Sequence, residues 1–241
     1  MIRTHEINTH WWGGAAGIVE DAAFFTLPDA ERATALAAYQ WVEFKCELGC
    51  APPLASIAHA GFFLADTQIG FRIALKERCG ACAEALTVSF AGESGFRYDE
   101  ADLAPFAHER YMHLPGLTQE RLNGRYAAWG HQLVREHPGT CLAILSAGEV
   151  QGWFLSQPAD SGLNLTLAAT RREARISGLL LYERSLAAYA AQGHRVGFAS
   201  FSVRNTAVHN IYASLGARFT APTGIWLWIA SGRVAGQPVK P

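Results

Sequence analysis

Arg171, Arg172 and Arg175 crowd a short stretch that ends at Gly178, where an apolar periodicity of helical type begins. The first turn of a helix has backbone N–H groups without intrahelical partners, and the helix dipole adds positive potential there. Guanidinium groups beside such a turn complete a seat for a pyrophosphate. Further along, Val208, Ile211, Tyr212 and Leu215 share one helical face. Taken alone, that pattern makes Tyr212 a core tyrosine.

Other residue types capable of chemistry give weaker patterns. Cys46 and Cys50 are four apart, and Cys79 and Cys82 form a C-x-x-C. The first pair lacks the tight spacing of a zinc knuckle and no histidine stands at ligand distance from either, so reduced thiols and no metal are expected. The strand that would precede a redox C-x-x-C is missing as well. The nine histidines are scattered without acidic partners. Trp11-Trp12-Gly13-Gly14 reads as a packing anchor beside a turn.

The elements that must hold these residues follow from periodicity. Trp41 to Cys46 alternates as a strand, Pro52-Pro53 opens a helix that closes at Gly61, and strands follow at Phe62 to Leu64 and Ile69 to Leu75. Irregular composition between Lys76 and Tyr98 suggests a boundary near residue 85. That gives a smaller α/β region, 1–85, and a second unit, 86–241. Asp99 to Tyr111 reads as a helix with an acidic first turn, and Thr118 to Glu136 as another. From Thr140 the order is a hairpin (Cys141 to Leu145 and Val150 to Leu155) and a turn at Pro158 to Gly162. A strand Leu163 to Leu167 follows, then a helix to Gly193, a strand Val196 to Phe201, a helix to Gly216 and a strand Gly224 to Ile229. This is an α/β or α+β layout with a mixed sheet.

Composition narrows the class. Of 241 residues, 50% are apolar and 17% charged, with a formal net charge of -1. That balance excludes a disordered chain and offers no field for nucleic acid or anionic membrane. No apolar run approaches the roughly 20 residues that span a bilayer, and Met1 to Glu6 lacks the basic and apolar segments of a leader. A cytoplasmic location is expected.

The segment from Leu163 to Phe219 resembles the GCN5-related N-acetyltransferase superfamily. That superfamily carries a Gln/Arg-x-x-Gly-x-Gly/Ala loop between a strand and a helix. Here the loop reads Glu173-Ala174-Arg175-Ile176-Ser177-Gly178, with Gly178 at the last position and Glu173 and Ile176 departing from the pattern. Val203 to Phe219 is similar to the family's Asn-x-x-Ala…Tyr…Leu-Gly-Phe segment. The resemblance implies a mixed, mostly antiparallel sheet flanked by helices, preceded by a smaller N-terminal α/β region, and acetyl-CoA or another acyl-CoA as co-substrate. It assigns Leu167, Ala168, Ala169, Arg172, Arg175, Ile176, Ser177, Gly178, Leu179 and Asn205 to the coenzyme, and Tyr212 to protonation of the departing thiolate. No carboxylate or histidine lies on Val150 to Gln157 or Leu163 to Ala168, so deprotonation of the amine is expected to run through ordered water.

More loosely, the whole chain resembles TDP-fucosamine acetyltransferases and related amino-sugar acyltransferases. The cues are Leu54 to Leu75, His108 to Pro115, Tyr126 and Trp129. That likeness puts Arg110, Tyr111 and His113 in the acceptor site and implies a small-molecule amine, such as a nucleotide-linked amino sugar, as partner. A homodimer is compatible with this reading. The degenerate loop leaves a second reading open, a module that binds acyl-CoA or another ligand without turnover. Acylation of a protein amine also stays open.

Overall fold

The computed structural model describes residues 1–94, 96 and 99–230. The last eleven residues of the expected second unit, 231–241, and residues 95, 97 and 98, at the end of the irregular stretch, lie outside the described set.

In chain order the elements are strand β1 (Ile2–Thr4), helix α1 (Glu6–Trp12), β2 (Ala16–Val19), α2 (Asp29–Leu36), β3 (Trp41–Glu47), α3 (Leu54–His59), β4 (Phe63–Ala74), α4 (Ala81–Glu84), β5 (Thr87–Phe90), α5 (Ala91–Ser94), α6 (Gln119–Glu136), β6 (Cys141–Ser146), β7 (Glu149–Ala159), β8 (Gly162–Thr170), α7 (Gly178–Ala191), β9 (Val196–Ser202), α8 (Thr206–Ser214) and β10 (Arg218–Ile229). The ten strands make one sheet in the order β1-β2-β3-β10-β4-β9-β8-β7-β6-β5. Only the β2/β3 and β8/β9 pairs are parallel, so the sheet is mixed and mostly antiparallel.

Alternation along the strands divides the interior into layers. On β6 and β7, Cys141, Ala143, Trp153 and Leu155 face a core built with α6, while Leu142, Ile144 and Phe154 face one built with α7 and α8. On β3, Trp41 packs with the α6 core and Val42 and Phe44 with a third core that includes Phe24, Leu36 and Ile57. Trp12 is buried in the α6 core, and α1 ends at Gly13, whose φ of 74° is the left-handed cap that a side chain would resist. The double tryptophan is therefore an anchor: the Trp11 Nε1–H donates to the Arg121 carbonyl at 3.0 Å.

Long-range pairing revises four expectations. The two strands expected at Phe62 to Leu64 and Ile69 to Leu75 merge into one twelve-residue strand, β4, which leaves out Phe62 and Leu75. It runs between β10 and β9, so a strand from before residue 85 sits inside the sheet; residue 85 itself falls between α4 and β5. The last strand begins at Arg218 rather than Gly224, because β4 offers partners from Arg72 to Phe63 along its whole length. The segment Asp99 to Tyr111 is not a helix. It contains only two 3-10 turns, Glu100–Asp102 and Arg110–His113. Between them the chain is drawn onto the end of β8, with Leu103 bridging Arg171 and the Ala104 N–H donating to the Thr170 carbonyl at 3.0 Å. Pro105, which has no N–H, cannot continue a helix. Strand β7 also continues through the expected turn at Pro158, pairing Pro158 with Leu163.

Candidate active site

Strands β8 and β9 touch only at their start. Leu163 pairs with Gly197 and Asn164 with Phe198, and no pairing follows among the described residues. Gly197 permits that approach, since a Cβ there would lie 2.8 Å from Leu165 Cδ1. The separation beyond has a local cause. On β7, Leu155 pairs with Leu167 and Gln157 with Asn164, so Leu165 and Thr166 together face the single residue Ser156. This two-against-one bulge bends β8 and reverses which face its side chains take. Leu163 and Leu165 pack toward α7 and α8, whereas Leu167 and Ala169 pack toward α6. From Leu165 to Ala169 the β9-facing edge of β8 pairs with no strand among the described residues, and beyond it Leu103 and Ala104 take the edge at Thr170 and Arg171.

The gap opens into a cleft of about 660 Å³ lined by both strands, by α6, α7 and α8, and by the chain from Ala104 to Arg110. Tyr212 of α8 is on its wall and 3% exposed. Its ring lies 3.9 Å from that of Phe71 and 5.2 Å, edge-on, from that of Tyr182, which lines the same wall. Burial among these rings raises the Tyr212 phenol well above the ordinary tyrosine range, and burial raises Tyr182 too. Both therefore hold their protons at any working pH. The Tyr212 O–H makes no hydrogen bond to a described residue.

On the opposite wall stand Phe106, Glu109, Arg110, Arg125, Tyr126 and Trp129. Phe106 stacks on Tyr126 at 3.9 Å. Arg110 is already spoken for: its Nε donates to Glu43 Oε2 at 2.6 Å, Nη1 to Glu109 Oε1 at 3.3 Å and Nη2 to the Tyr111 hydroxyl at 2.8 Å. Although burial opposes the charge, Glu43 heads the neighbours that hold its pKa well above even the usual guanidinium value. Glu109 is 8% exposed, and its Oε2 is buried with no hydrogen-bond partner.

The loop before α7 is pinned by β7. The Arg171 N–H donates to the Gln151 carbonyl at 2.9 Å and the Arg175 N–H to Gln151 Oε1 at 2.7 Å. The Arg172 N–H donates to the Asp102 carbonyl and its Nε to the Ala101 carbonyl. Ser177 caps α7, its hydroxyl accepting from the Leu180 N–H at 3.4 Å. The N–H groups of Ile176, Ser177, Gly178 and Leu179 donate to no described residue. Ile176 packs its side chain against the α7/α8 core. Among the described residues only Ala147 is a non-glycine with positive φ, so isoleucine in place of the motif's glycine imposes no strain here. Gly178 lies close under α8, where a Cβ would come 3.1 Å from Ile211 Cδ1.

Of the residues singled out from sequence, Leu167, Ala168, Ala169, Gly178, Asn205, Arg110 and Tyr212 line the cleft. Asn205 caps α8 through Oδ1, which accepts from the Val208 N–H at 3.1 Å. Ile176, Ser177 and Leu179 stand at the α7 start, outside the cleft wall. Arg172 and Arg175 are exposed beside it, with Arg172 turned toward Ala101. Tyr111 is fully buried, accepting from Asn8 Nδ2 at 2.9 Å, because it packs at a tilt against Trp41 and Trp11 in the core. His113 lies away from the cleft, its Nε2 3.1 Å from the Ala65 carbonyl. Sequence reasoning gave no role to Glu109 or Arg125. A signal for Arg125 existed: it is a cation on the same face of α6 as Leu122, Tyr126, Trp129 and Leu133.

Among the described residues no group of three or more His, Cys, Asp or Glu could hold a metal ion, and no helix is long and apolar enough to cross a membrane. The five cysteines are free thiols.

No protein-family model matches the sequence, and neither does any curated protein. Solved structures do match. One is a GCN5-related N-acetyltransferase from Sphaerobacter thermophilus, with a TM-score of 0.54 and 16% identity over 82% of this chain and 62% of that one. This chain thus spans less than two thirds of the Sphaerobacter protein. Another is a GCN5-related N-acetyltransferase from Kribbella flavida, with a TM-score of 0.52 and 13% identity over 90% and 82%. A third is a tandem GNAT protein from the clavulanic acid biosynthesis pathway, with a TM-score of 0.51 and 14% identity over 92% and 77%. The fold is that of the GCN5-related N-acetyltransferases.

Proposed function

From a chain with this fold, we propose an acyl-CoA-dependent N-acyltransferase that acts on a primary amine of a small molecule. The observation that carries the reading is the separation of β8 from β9 beyond Asn164 and Phe198, with a protonated tyrosine across the gap.

Acyl-CoA supplies an activated thioester. The residues fit it: the unpartnered N–H groups of Ile176 to Leu179 at the start of a fourteen-residue helix suit a pyrophosphate, with Arg175 beside them. The open edge of β8 suits the amides of the pantetheine arm, as an added strand pairs with a sheet edge. The N–H of Ala168 would polarise the thioester oxygen, since the N–H groups of its neighbours Leu167 and Ala169 turn toward β7, and Tyr212 would give its proton to the departing sulfur. Glu109 replaces ordered water as the group that takes the proton of the amine, since its Oε2 is a buried acceptor without a donor. Asn205 keeps its amide nitrogen for the arm.

The finer expectation of a nucleotide-linked amino sugar gains little support from this wall, where Arg110 is held by two carboxylates. Thiol release from acetyl-CoA over a panel of amines, with calorimetry for coenzyme binding, tests the proposal. Release with some amine supports it. Binding without release for any amine would instead favour a module that holds the coenzyme.

A further inference from the structure

Two arginines stand on the acceptor wall, and only one is neutralised. Arg110 has two carboxylates. Arg125, 8% exposed, has no carboxylate at ion-pair distance among the described residues. Its Nε donates to Asn8 Oδ1 at 3.0 Å, and neither Nη atom donates to a described residue. The guanidinium is fixed in place by rings on several sides: Tyr111 at 4.7 Å, Tyr126 at 5.3 Å, Trp11 at 5.5 Å and Trp129 at 5.7 Å. Rings of this kind hold a cation and set its plane, but they accept no N–H···O bonds. A buried, oriented fork with both outer nitrogens unused is built to receive a planar anion.

The same wall carries the complementary vacancy in hydrogen bonding. Glu109 Oε2 is buried and accepts nothing. An unpaired buried carboxylate oxygen is costly, and beside a guanidinium fork whose outer nitrogens are unused on the same cleft wall it defines a recognition pattern. We infer that this wall recognises an amine that also carries a carboxylate, that is, an amino-acid-like acceptor, with its carboxylate on Arg125 and its amino group toward Glu109. The inference deepens the acyltransferase reading and rests on it for the identity of the amine as the reacting group.

Charge balance favours a carboxylate over a phosphate. Arg110, Arg125, Glu43 and Glu109 sum to zero. A zwitterion adds no net charge to that cluster, whereas a phosphate dianion would leave it negative with a single fork to hold it. Phe106, Tyr126 and Trp129 on the same wall would cover an apolar side chain of the acceptor.

The test compares matched acceptors: each common amino acid, its carboxamide, the amine left on decarboxylation, and an amino-sugar phosphate, with acetyl-CoA as donor. Binding of each is also measured by calorimetry. With the wild-type protein, kcat/KM for the preferred amino acid exceeds that for its carboxamide by about tenfold or more, the worth of a hydrogen-bonded charge. R125Q brings that ratio close to one, chiefly through KM, and R125K restores part of it. Equal use of acid and carboxamide, preference for the phosphate, or an R125Q ratio as large as the wild type's overturns the inference. If the amino acid binds in preference to its carboxamide yet no thiol is released, the carboxylate receptor stands and the transferase reading fails. If neither binds nor reacts, both fail. Thermal unfolding of R125Q and R125K separates a lost contact from a lost fold.

Discussion

Tyr212 packs closely on Phe71, ring centroids 3.9 Å apart with the planes tilted by 34°, while its hydroxyl makes no hydrogen bond to any described residue. The ring is part of the core and the oxygen is not part of its polar accounting. Tyr212→Phe should therefore change stability by no more than about 0.5 kcal/mol, because nothing partnered is removed. Turnover should fall by roughly a hundredfold or more, the usual worth of a positioned proton donor. Affinity for acetyl-CoA should hold. Tyr182→Phe is the control, and a larger loss there than at Tyr212 would move the acid to α7.

Glu109→Gln keeps the shape of the side chain and removes its capacity to accept a proton. We expect a fall in kcat of roughly a hundredfold or more. Coenzyme affinity, read by calorimetry, should be retained. A variant that keeps the wild-type kcat would return the proton to water.

The Arg110–Glu43 pair, 2.6 Å apart and largely out of solvent, is a strut between the acceptor wall and β3. Glu43→Gln leaves a buried guanidinium with Glu109 as its only carboxylate among the described residues. Breaking such a pair costs about 3–5 kcal/mol, with part of that recovered here through Glu109. Denaturant unfolding should show a loss of about 2 kcal/mol or more on that scale; a loss below that would make the pair incidental.

Alkaline pH should destabilise the protein. Burial raises the thiol of Cys141 to about 11, and raises the phenols of Tyr126, Tyr182, Tyr189 and Tyr212 as well. These groups ionise more readily in the unfolded chain than in the native one. Their contribution to stability is thus complete below the unfolded value, about 9 for the thiol and 10 for the phenols, and is lost as pH climbs toward the raised native values. Stability from denaturant titrations should fall from pH 9 to 11, and Cys141→Ala should blunt the first part of that fall. A flat profile over this window contradicts the burial of these groups.

Gly152 sets the distance between β7 and the end of β8. A Cβ there would meet Leu181 Cδ1, and the Ala169 carbonyl oxygen at 2.7 Å. Gly152→Ala should cost about 1–3 kcal/mol by overpacking and should also lower turnover, because the displaced backbone adjoins Ala168, to which the proposal gives the thioester oxygen. Unaltered thermal stability would sink this.

What could be read from the sequence was local. Helices α7 and α8 and the strand between them announce themselves through long periodic runs ending at Gly193 and Gly216. The Thr118 cap is likewise visible in the chain, and its hydroxyl accepts from the Arg121 N–H at 3.2 Å. What was hidden depends on distant partners. Residues 63–74 become a central strand only because Val196 to Ser202 and Arg218 to Leu227 lie on either side. The bulge at Leu165-Thr166 is defined by its register against Ser156, which no periodicity reveals. Arg125 takes its meaning from Asn8 and Trp11, more than a hundred residues earlier. Glu109 sat in a stretch that looked helical, and the tether of Ala104 to Thr170 and the Arg110–Glu43 pair hold it at the cleft.

The most direct measurement of the central claim is the response of backbone amide resonances to added coenzyme A. The account predicts saturable shifts concentrated at Leu167 to Thr170 and at Ile176 to Leu179, on the two sides of the arginine loop. Saturable binding with shifts elsewhere, or no shift at these amides at millimolar coenzyme, would contradict it.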